Sequence, residues 1–224
     1  MFLPPEPGRV GVKICGVTHP DDAEAAAALG ADALGLNFYP GSPRCLDPVR
    51  DAHWLRALAG RVCRVAVVVN AARAEIDRLL GDGLADAVQL HGDEDAEFCR
   101  ALAAAGIPFA KALRVRGVES LRAAGTFSTP WLVLDAFDPG AYGGTGRTAD
   151  WTLAARCVQE GKAAGWKVLL SGGLRPENVG AALRQVQPFG VDVASGVEKK
   201  GEPRRKDPAR LRAFFSEIRA AEGI

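Results

Sequence analysis

A few residues in the 224-residue chain have types and positions that could do chemistry. The apolar run that begins at Val10 ends in Lys13-Ile14-Cys15-Gly16, which sets a thiol close to an amine. A thiolate can act as nucleophile or base, and a neighbouring ammonium lowers a thiol's pKa. Lys13 admits two other readings, a catalytic amine or a structural ion-pair partner. A second run, Trp131 to Leu134, ends in Asp135, a carboxyl group suited to acid–base work. Gln89-Leu90-His91-Gly92 offers an imidazole with an amide two residues before it. Arg44 follows a loop stiffened by Pro40 and Pro43, and a guanidinium can hold a carboxylate through two parallel hydrogen bonds. Glycine-rich turns stand at Gly143-Gly144-Thr145-Gly146, Ser171-Gly172-Gly173-Leu174 and Ser195-Gly196-Val197. Such turns let backbone N–H groups approach an anion. Each residue also has a plainer counterpart: buried filler for Cys15, a solvated loop residue for Arg44, a hydrogen-bonded structural imidazole for His91, a loop cap for Asp135.

The elements that carry these residues follow a repeating pattern. Short apolar runs occur at Val10–Cys15, Ala33–Phe38, Cys63–Val69, Ala87–Leu90, Pro108–Leu113, Trp131–Leu134, Lys167–Leu170 and Val191–Ala194. Their near-continuous apolarity predicts strands buried on both faces. Between them lie Ala-, Leu- and Arg-rich stretches with helix signals. Pro20-Asp21-Asp22 opens one that Gly30 ends, and Asp93-Glu94-Asp95 opens one that stops at Gly106. Pro176-Glu177-Asn178 opens another, and Asp207-Pro208 opens the last, with Leu211, Phe214, Phe215 and Ile218 on one face. Repeated strand–helix units imply right-handed crossovers and a parallel sheet. An open dinucleotide-binding sheet needs a G-x-G-x-x-G after the first strand, and Gly16 stands there without one. Eight units instead predict an α/β fold of the (β/α)8 TIM-barrel type, a single domain over residues 1–224. Barrel active sites lie at the C-terminal ends of strands, where the residues named above fall, and phosphate sites gather after strands seven and eight. Gly144, Gly146, Gly172, Gly173, Ser195 and Gly196 are therefore the expected phosphate cradle.

Composition narrows the class. Hydrophobic residues make up 48% and charged residues 25%, which excludes an intrinsically disordered chain. The net charge of +1 argues against a dedicated nucleic-acid binder. No apolar run approaches the ~18 residues that would suggest a membrane span. Met1 to Gly11, with Pro4, Pro5, Glu6 and Pro7, lacks the basic start and apolar stretch of a signal peptide. Five cysteines without a C-x-x-C pair read as reduced thiols of a cytoplasmic protein, with no metal site among them.

Taken in order, these segments resemble the phosphoribosylanthranilate isomerase family of tryptophan biosynthesis. The matching stretches are Lys13-Ile14-Cys15-Gly16 with Thr18, Ser42-Pro43-Arg44, Gln89-Leu90-His91-Gly92, Asp135, Gly143 to Gly146, Ser171 to Leu174 with Pro176 to Val179, and Val191-Asp192 with Ser195 to Glu198. They cover almost the full chain and are specific as a set. The resemblance implies an α/β barrel that needs no metal or organic cofactor. Cys15 would be the general base, Asp135 the general acid, and Arg44 the holder of the anthranilate carboxylate. Gln89, His91 and Asp192 would contact substrate. The implied reaction is an Amadori rearrangement, from N-(5-phosphoribosyl)anthranilate to 1-(2-carboxyphenylamino)-1-deoxyribulose 5-phosphate. A carboxyl group of ordinary pKa, ~3.9, is protonated only about one part in a thousand at pH 7. The acid therefore needs surroundings that keep its proton, whereas Cys15 needs help to ionise, with Lys13 or backbone N–H groups as candidates. The expected partner is a small phosphorylated molecule, without nucleic acid or membrane, and the expected assembly a monomer or homodimer.

One stretch departs from the family. Lys199, Lys200, Arg204, Arg205 and Lys206, with Gly201 and Pro203, form a basic run where smaller residues are usual, and a solvated loop is expected there. Two other phosphosugar barrels compete. The histidine-pathway aminoaldose isomerase would place an aspartate where Cys15 stands. Indole-glycerol-phosphate synthase would want Lys and Glu on inner strands, and Ala33–Phe38 and Cys63–Val69 offer neither. A barrel that binds a phosphorylated metabolite without turnover would need neither Cys15 nor Asp135.

Overall fold

The computed structural model describes residues 8–115, 124–136 and 150–223. Eight strands, β1 (Gly11–Cys15), β2 (Ala33–Asn37), β3 (Cys63–Val68), β4 (Ala87–Leu90), β5 (Phe109–Val115), β6 (Trp131–Ala136), β7 (Lys167–Leu170) and β8 (Gly190–Val193), close into one barrel in sequence order. Every neighbouring pair is parallel, including β8 with β1. All eight expected strands are present, with ends shifted by no more than two residues.

The helices among the described residues are α1 (Pro20–Ala28), α2 (Ala52–Ala57), α3 (Arg73–Gly81), α4 (Ala96–Ala104), α5 (Trp151–Ala163), α6 (Pro176–Val186) and α7 (Pro208–Glu222). Their ends follow local chemistry. The imidazole of His19 accepts from the Asp21 N–H at the start of α1, and Pro20 sits in the first turn. Asp207 caps α7 by accepting from Ala209 and Arg210, and Leu211, Phe214, Phe215 and Ile218 are buried together as their spacing predicts. The α4 start differs from expectation by one acidic residue. Asp95 is the cap, accepting from Phe98 N–H, while Glu94 turns inward to Lys111 at 2.8 Å. A buried lysine needs a carboxylate more than a helix needs a third acidic opener.

Strand alternation sorts side chains between two cores. Val12 and Ile14, Val88 and Leu90, Leu132 and Leu134, and Val191 and Val193 face the helices. Ala33, Val65, Ala87, Ala110, Ala112, Val133 and Leu169 fill the barrel interior. The period of two then puts Lys13, Cys15, Gln89, Asp135 and Asp192 on the interior side of their strands. Alanines, valines, Leu169 and Trp131 fill the interior, and a polar layer lies above them.

After β8 come a 3-10 turn (Ser195–Val197) and an antiparallel hairpin of β9 (Glu198–Lys199) and β10 (Glu202–Lys206). This hairpin corrects the expectation of a solvated basic loop. Lys206 is 1% exposed, Arg205 pairs with Asp22 of α1 at 3.2 Å, and Arg204 donates to the carbonyls of Pro43 and Cys45. Only tertiary contacts could reveal these partners, because each lies more than 150 positions away in the chain. Lys200 is exposed as expected.

Candidate active site

Cys15 ends β1 and Asp135 lies near the end of β6, on opposite sides of the barrel mouth. Cys15 is partly exposed, and the residue beside it in register on β2 is Gly35. A Cβ on Gly35 would stand 2.6 Å from Cys15 Sγ, so the missing side chain is what gives the thiol its space.

The electrostatics around Cys15 run against one expectation. Desolvation by the barrel wall pushes its thiol above the ordinary value, and the Lys13 and Lys206 ammoniums only partly offset this. Lys13 pulls in the expected direction but is already committed. It is fully buried, with Nζ 2.9 Å from Asp192 Oδ1. Burial lowers the Lys13 pKa, but the negative charges of Asp192 and Cys15 outweigh this and raise it. Asp192 also raises the thiol, so the pair presents Cys15 with nearly compensated charge. Of the three readings of Lys13, the geometry is that of an ion-pair partner, placed by direct register of Lys13 with Asp192. Removing one member of such a buried pair costs about 3–5 kcal/mol, because the other is left charged and unpaired.

Asp135 is buried, with Oδ2 3.2 Å from His91 Nε2. His91 Nδ1 lies 2.8 Å from Gln89 Nε2. With the Gln89 amide in this orientation its nitrogen donates to Nδ1, which puts the ring proton on Nε2, directed at Asp135. Gln89 Oε1 is buried and has no hydrogen-bond partner among the described residues. Gln89, His91 and Asp135 thus form one chain across β4 and β6. The loop that carries His91 is braced beneath, where Lys111 donates to the Gly92 carbonyl and to Glu94, and Glu94 accepts from the N–H groups of Asn70 and Gly92. Sequence reading missed Lys111; a lysine between Ala110 and Ala112 in an apolar strand was the available signal.

Arg44 sits over the end of β1, with Nε and Nη2 at 2.6 and 2.8 Å from the two oxygens of Glu198. Sequence reading assigned no role to Glu198. Two strands along the ring from β1, Gly172 and Gly173 both have positive φ, +88° and +63°, so that β7 turns sharply into α6. Asn178 secures this turn by donating to the Gly173 carbonyl and accepting from Arg175 N–H. The Ser195–Val197 turn follows β8 beside it. Gly172, Gly173, Ser195 and Gly196 are therefore brought together, whereas Gly144 and Gly146 lie outside the described residues.

Residues 12–217 match the family described as N-(5'phosphoribosyl)anthranilate (PRA) isomerase. The N-(5'-phosphoribosyl)anthranilate isomerase of Pseudomonas aeruginosa (strain LESB58) is 44% identical over 214 residues, covering 94% of this chain and 96% of the relative. That of Neisseria gonorrhoeae (strain FA 1090) is 44% identical over 211 residues, covering 93% and 96%. The crystal structure of phosphoribosyl anthranilate isomerase from Thermotoga maritima superposes with a TM-score of 0.82 at 36% identity, covering 96% of this chain and all of that one. A structure of such an isomerase in complex with reduced 1-(o-carboxyphenylamino)-1-deoxyribulose 5-phosphate superposes with a TM-score of 0.79, at the same identity and coverage. An eight-stranded barrel with a thiol and a carboxyl group facing across its mouth, matched at this identity over nearly its whole length, belongs to the N-(5'-phosphoribosyl)anthranilate isomerase family.

Proposed function

We propose that this chain catalyses the Amadori rearrangement of N-(5-phosphoribosyl)anthranilate to 1-(2-carboxyphenylamino)-1-deoxyribulose 5-phosphate, with Asp135 as acid and Cys15 as base. The observation that carries the reading is the placement of these two groups at the mouth ends of β1 and β6, nearly opposite in an eight-strand ring. Asp135 delivers a proton to the furanose ring oxygen, and the ring opens to a Schiff base. The nitrogen keeps its own proton as its lone pair opens the ring, so the Schiff base forms as an iminium; this makes the C2 hydrogen acidic, and the Cys15 thiolate removes it to give an enolamine. Tautomerisation yields the aminoketose. One acid and one base on opposite sides of the sugar suffice for these transfers.

The remaining residues bind and orient. Arg44 holds the substrate carboxylate. Asp192 contacts the sugar while tied to Lys13, and Gln89 acts through His91, fixing the ring tautomer that meets Asp135. Turning the Gln89 amide over would let its Oε1 accept from Nδ1–H. His91 Nε2 would then accept from a protonated Asp135, the arrangement that suits an acid.

The phosphate is held by backbone N–H groups near Gly173, Ser195 and Gly196, with Gly144 and Gly146 as further members. Crystals soaked in phosphate or sulfate should show the anion at this glycine cradle. An anion seated instead on Lys199, Lys200 and Arg204, with the cradle empty, would refute the assignment. Arg204 is already engaged by two carbonyls, which supports the cradle.

A single barrel domain, cytoplasmic location and a monomeric or homodimeric state complete the reading. In their support, the described elements build one barrel, all five cysteines are free, and no described helix is long and apolar enough to cross a membrane. One similar structure is of monomers made from a dimeric isomerase of Thermotoga maritima. The direct test of the activity is loss of phosphoribosylanthranilate fluorescence with purified protein. No turnover, with binding retained, would leave a barrel that only binds a phosphorylated metabolite.

A further inference from the structure

We propose that Glu198 is a positioning residue for carboxylate recognition, and that the β9–β10 hairpin exists to hold Arg44 ready for its ligand. This rests on the reading that Arg44 binds the substrate carboxylate. Four observations converge on the hairpin.

The first is the edge of Arg44 that Glu198 occupies. Nε and Nη2 both donate to the carboxylate, a side-on pairing that uses two of the five guanidinium protons. The three protons left include one on Nη1 and one on Nη2 that point the same way. That pair forms a second fork, at the end of the side chain, matched to another carboxylate. Glu198 therefore does not fill the substrate's place; it sets the guanidinium plane, and no hydrogen bond among the described residues takes the end-on fork.

The second is charge. The Lys206 ammonium is buried and has three partners: the Cys15 carbonyl at 2.6 Å, the Ala194 carbonyl at 3.1 Å and Glu198 Oε1 at 3.0 Å. Two cations thus share one carboxylate, and the group carries a net charge of +1. Without Lys206, Glu198 would cancel the attraction of Arg44 for an incoming anion. With it, one positive charge remains for the ligand.

The third is the backbone. Arg204 donates to the carbonyls of Pro43 and Cys45, the residues on either side of Arg44. The Thr18 hydroxyl in turn donates to the Arg204 carbonyl. Main chain and side chain of Arg44 are therefore held by the same hairpin.

The fourth is the path of the side chain. A Cβ on Gly16 would collide with the Arg44 side chain at Cδ, so this glycine leaves the corridor by which Arg44 reaches Glu198. A long side chain loses rotamer freedom when a ligand fixes it. Here that loss occurs in folding, before the ligand arrives.

The test measures affinity for two product analogues, one with the anthranilate carboxylate and one with a plain phenylamino group. The ratio of the two affinities reports carboxylate recognition alone. Glu198→Gln should lower this ratio about tenfold, the scale of one bidentate charge-assisted contact losing its alignment. Affinity for the phenylamino analogue should stay within about threefold of wild type, so that the loss falls on the carboxylate contact. Arg204→Ala alters an exposed residue, and it should lower the ratio about threefold with Tm unchanged, because it frees the backbone beside Arg44 without touching the guanidinium's own contacts. It decides the matter if Glu198→Gln does not fold. Arg44→Ala separates the two levels of the argument. If its ratio equals that of wild type, Arg44 does not read the carboxylate and the parent reading fails. If Arg44→Ala abolishes the ratio but Glu198→Gln and Arg204→Ala preserve it, the parent reading stands and the positioning role is refuted. A ratio that rises in Glu198→Gln would also refute it, since Glu198 would then be a competitor for Arg44. Equal loss of both affinities would refute it too, as the mark of a merely structural role.

Discussion

Cys15→Ala should lose ~10²–10⁴-fold in kcat while the barrel and phosphate binding survive, the range expected when a general base is removed. The fold should tolerate the change because it deletes only Sγ, which faces the space left by Gly35. The contacts that tie the end of β1 to its surroundings are main-chain. Gly16 N–H donates to the Gly35 carbonyl, and the Lys206 ammonium donates to the Cys15 carbonyl. Neither needs the thiol. The pH profile carries a second expectation. Activity requires the ionised thiol, so it rises with pH on the acid side. Burial pushes the Cys15 thiol up, which moves this rising limb of the free enzyme to higher pH. The variant should lose that limb along with its turnover. Steady-state kinetics of Cys15→Ala against wild type checks both points, and near-normal turnover would remove Cys15 from the mechanism.

Asp135→Asn should lose at least about 100-fold in kcat yet bind a product analogue nearly as well as wild type, because an amide cannot deliver a proton. Asparagine keeps the shape of the side chain, and its amide can still hydrogen-bond His91 Nε2, which lies 3.2 Å from Asp135 Oδ2, as donor or as acceptor. The Gln89–His91 half of the chain is then undisturbed, so binding should persist. In wild type, the step needs a protonated carboxyl and an ionised thiol together. These opposed demands produce a bell-shaped dependence of kcat/KM on pH, whose two limbs belong to the pair. The measurement is kcat and kcat/KM against pH for both proteins on one substrate. Retention of more than about a tenth of wild-type kcat would defeat the assignment, given the usual cost of losing a general acid. Unfolding of the variant would make Asp135 a structural group and point to His91 as the next acid to test.

The two largest effects thus fall on residues that were visible as sequence features, whereas the residues that prepare them were not. Cys15 and Asp135 end short apolar runs, and strand ends are where a barrel collects its chemistry. Their facing direction is also local, since alternate residues of a strand point the same way and Val12, Ile14, Leu132 and Leu134 claim the outer side. The eight strands, the helix caps at Asp95 and Asp207 and the apolar face of α7 follow from the same short-range rules.

The partners of Arg44 did not follow from any such rule. Glu198 is 154 positions from Arg44, and the Lys206 ammonium reaches a carbonyl 191 positions away. A basic run that reads as a solvated loop is in fact half consumed by internal acceptors, because the hairpin folds back onto the end of β1, α1 and the loop of Arg44. The thiol is the clearest case of the same division. Its neighbour Lys13 suggests a lowered pKa, yet the barrel brings Asp192 to Lys13 and low-dielectric walls to Cys15, and the sign reverses. Composition, periodicity and turn residues act over a few positions and by themselves determined the barrel and placed Cys15 and Asp135, the proposed base and acid, at its strand ends. Charge and desolvation act through space, so what each group faces, and how strongly it holds its proton, was decided only when the strands closed.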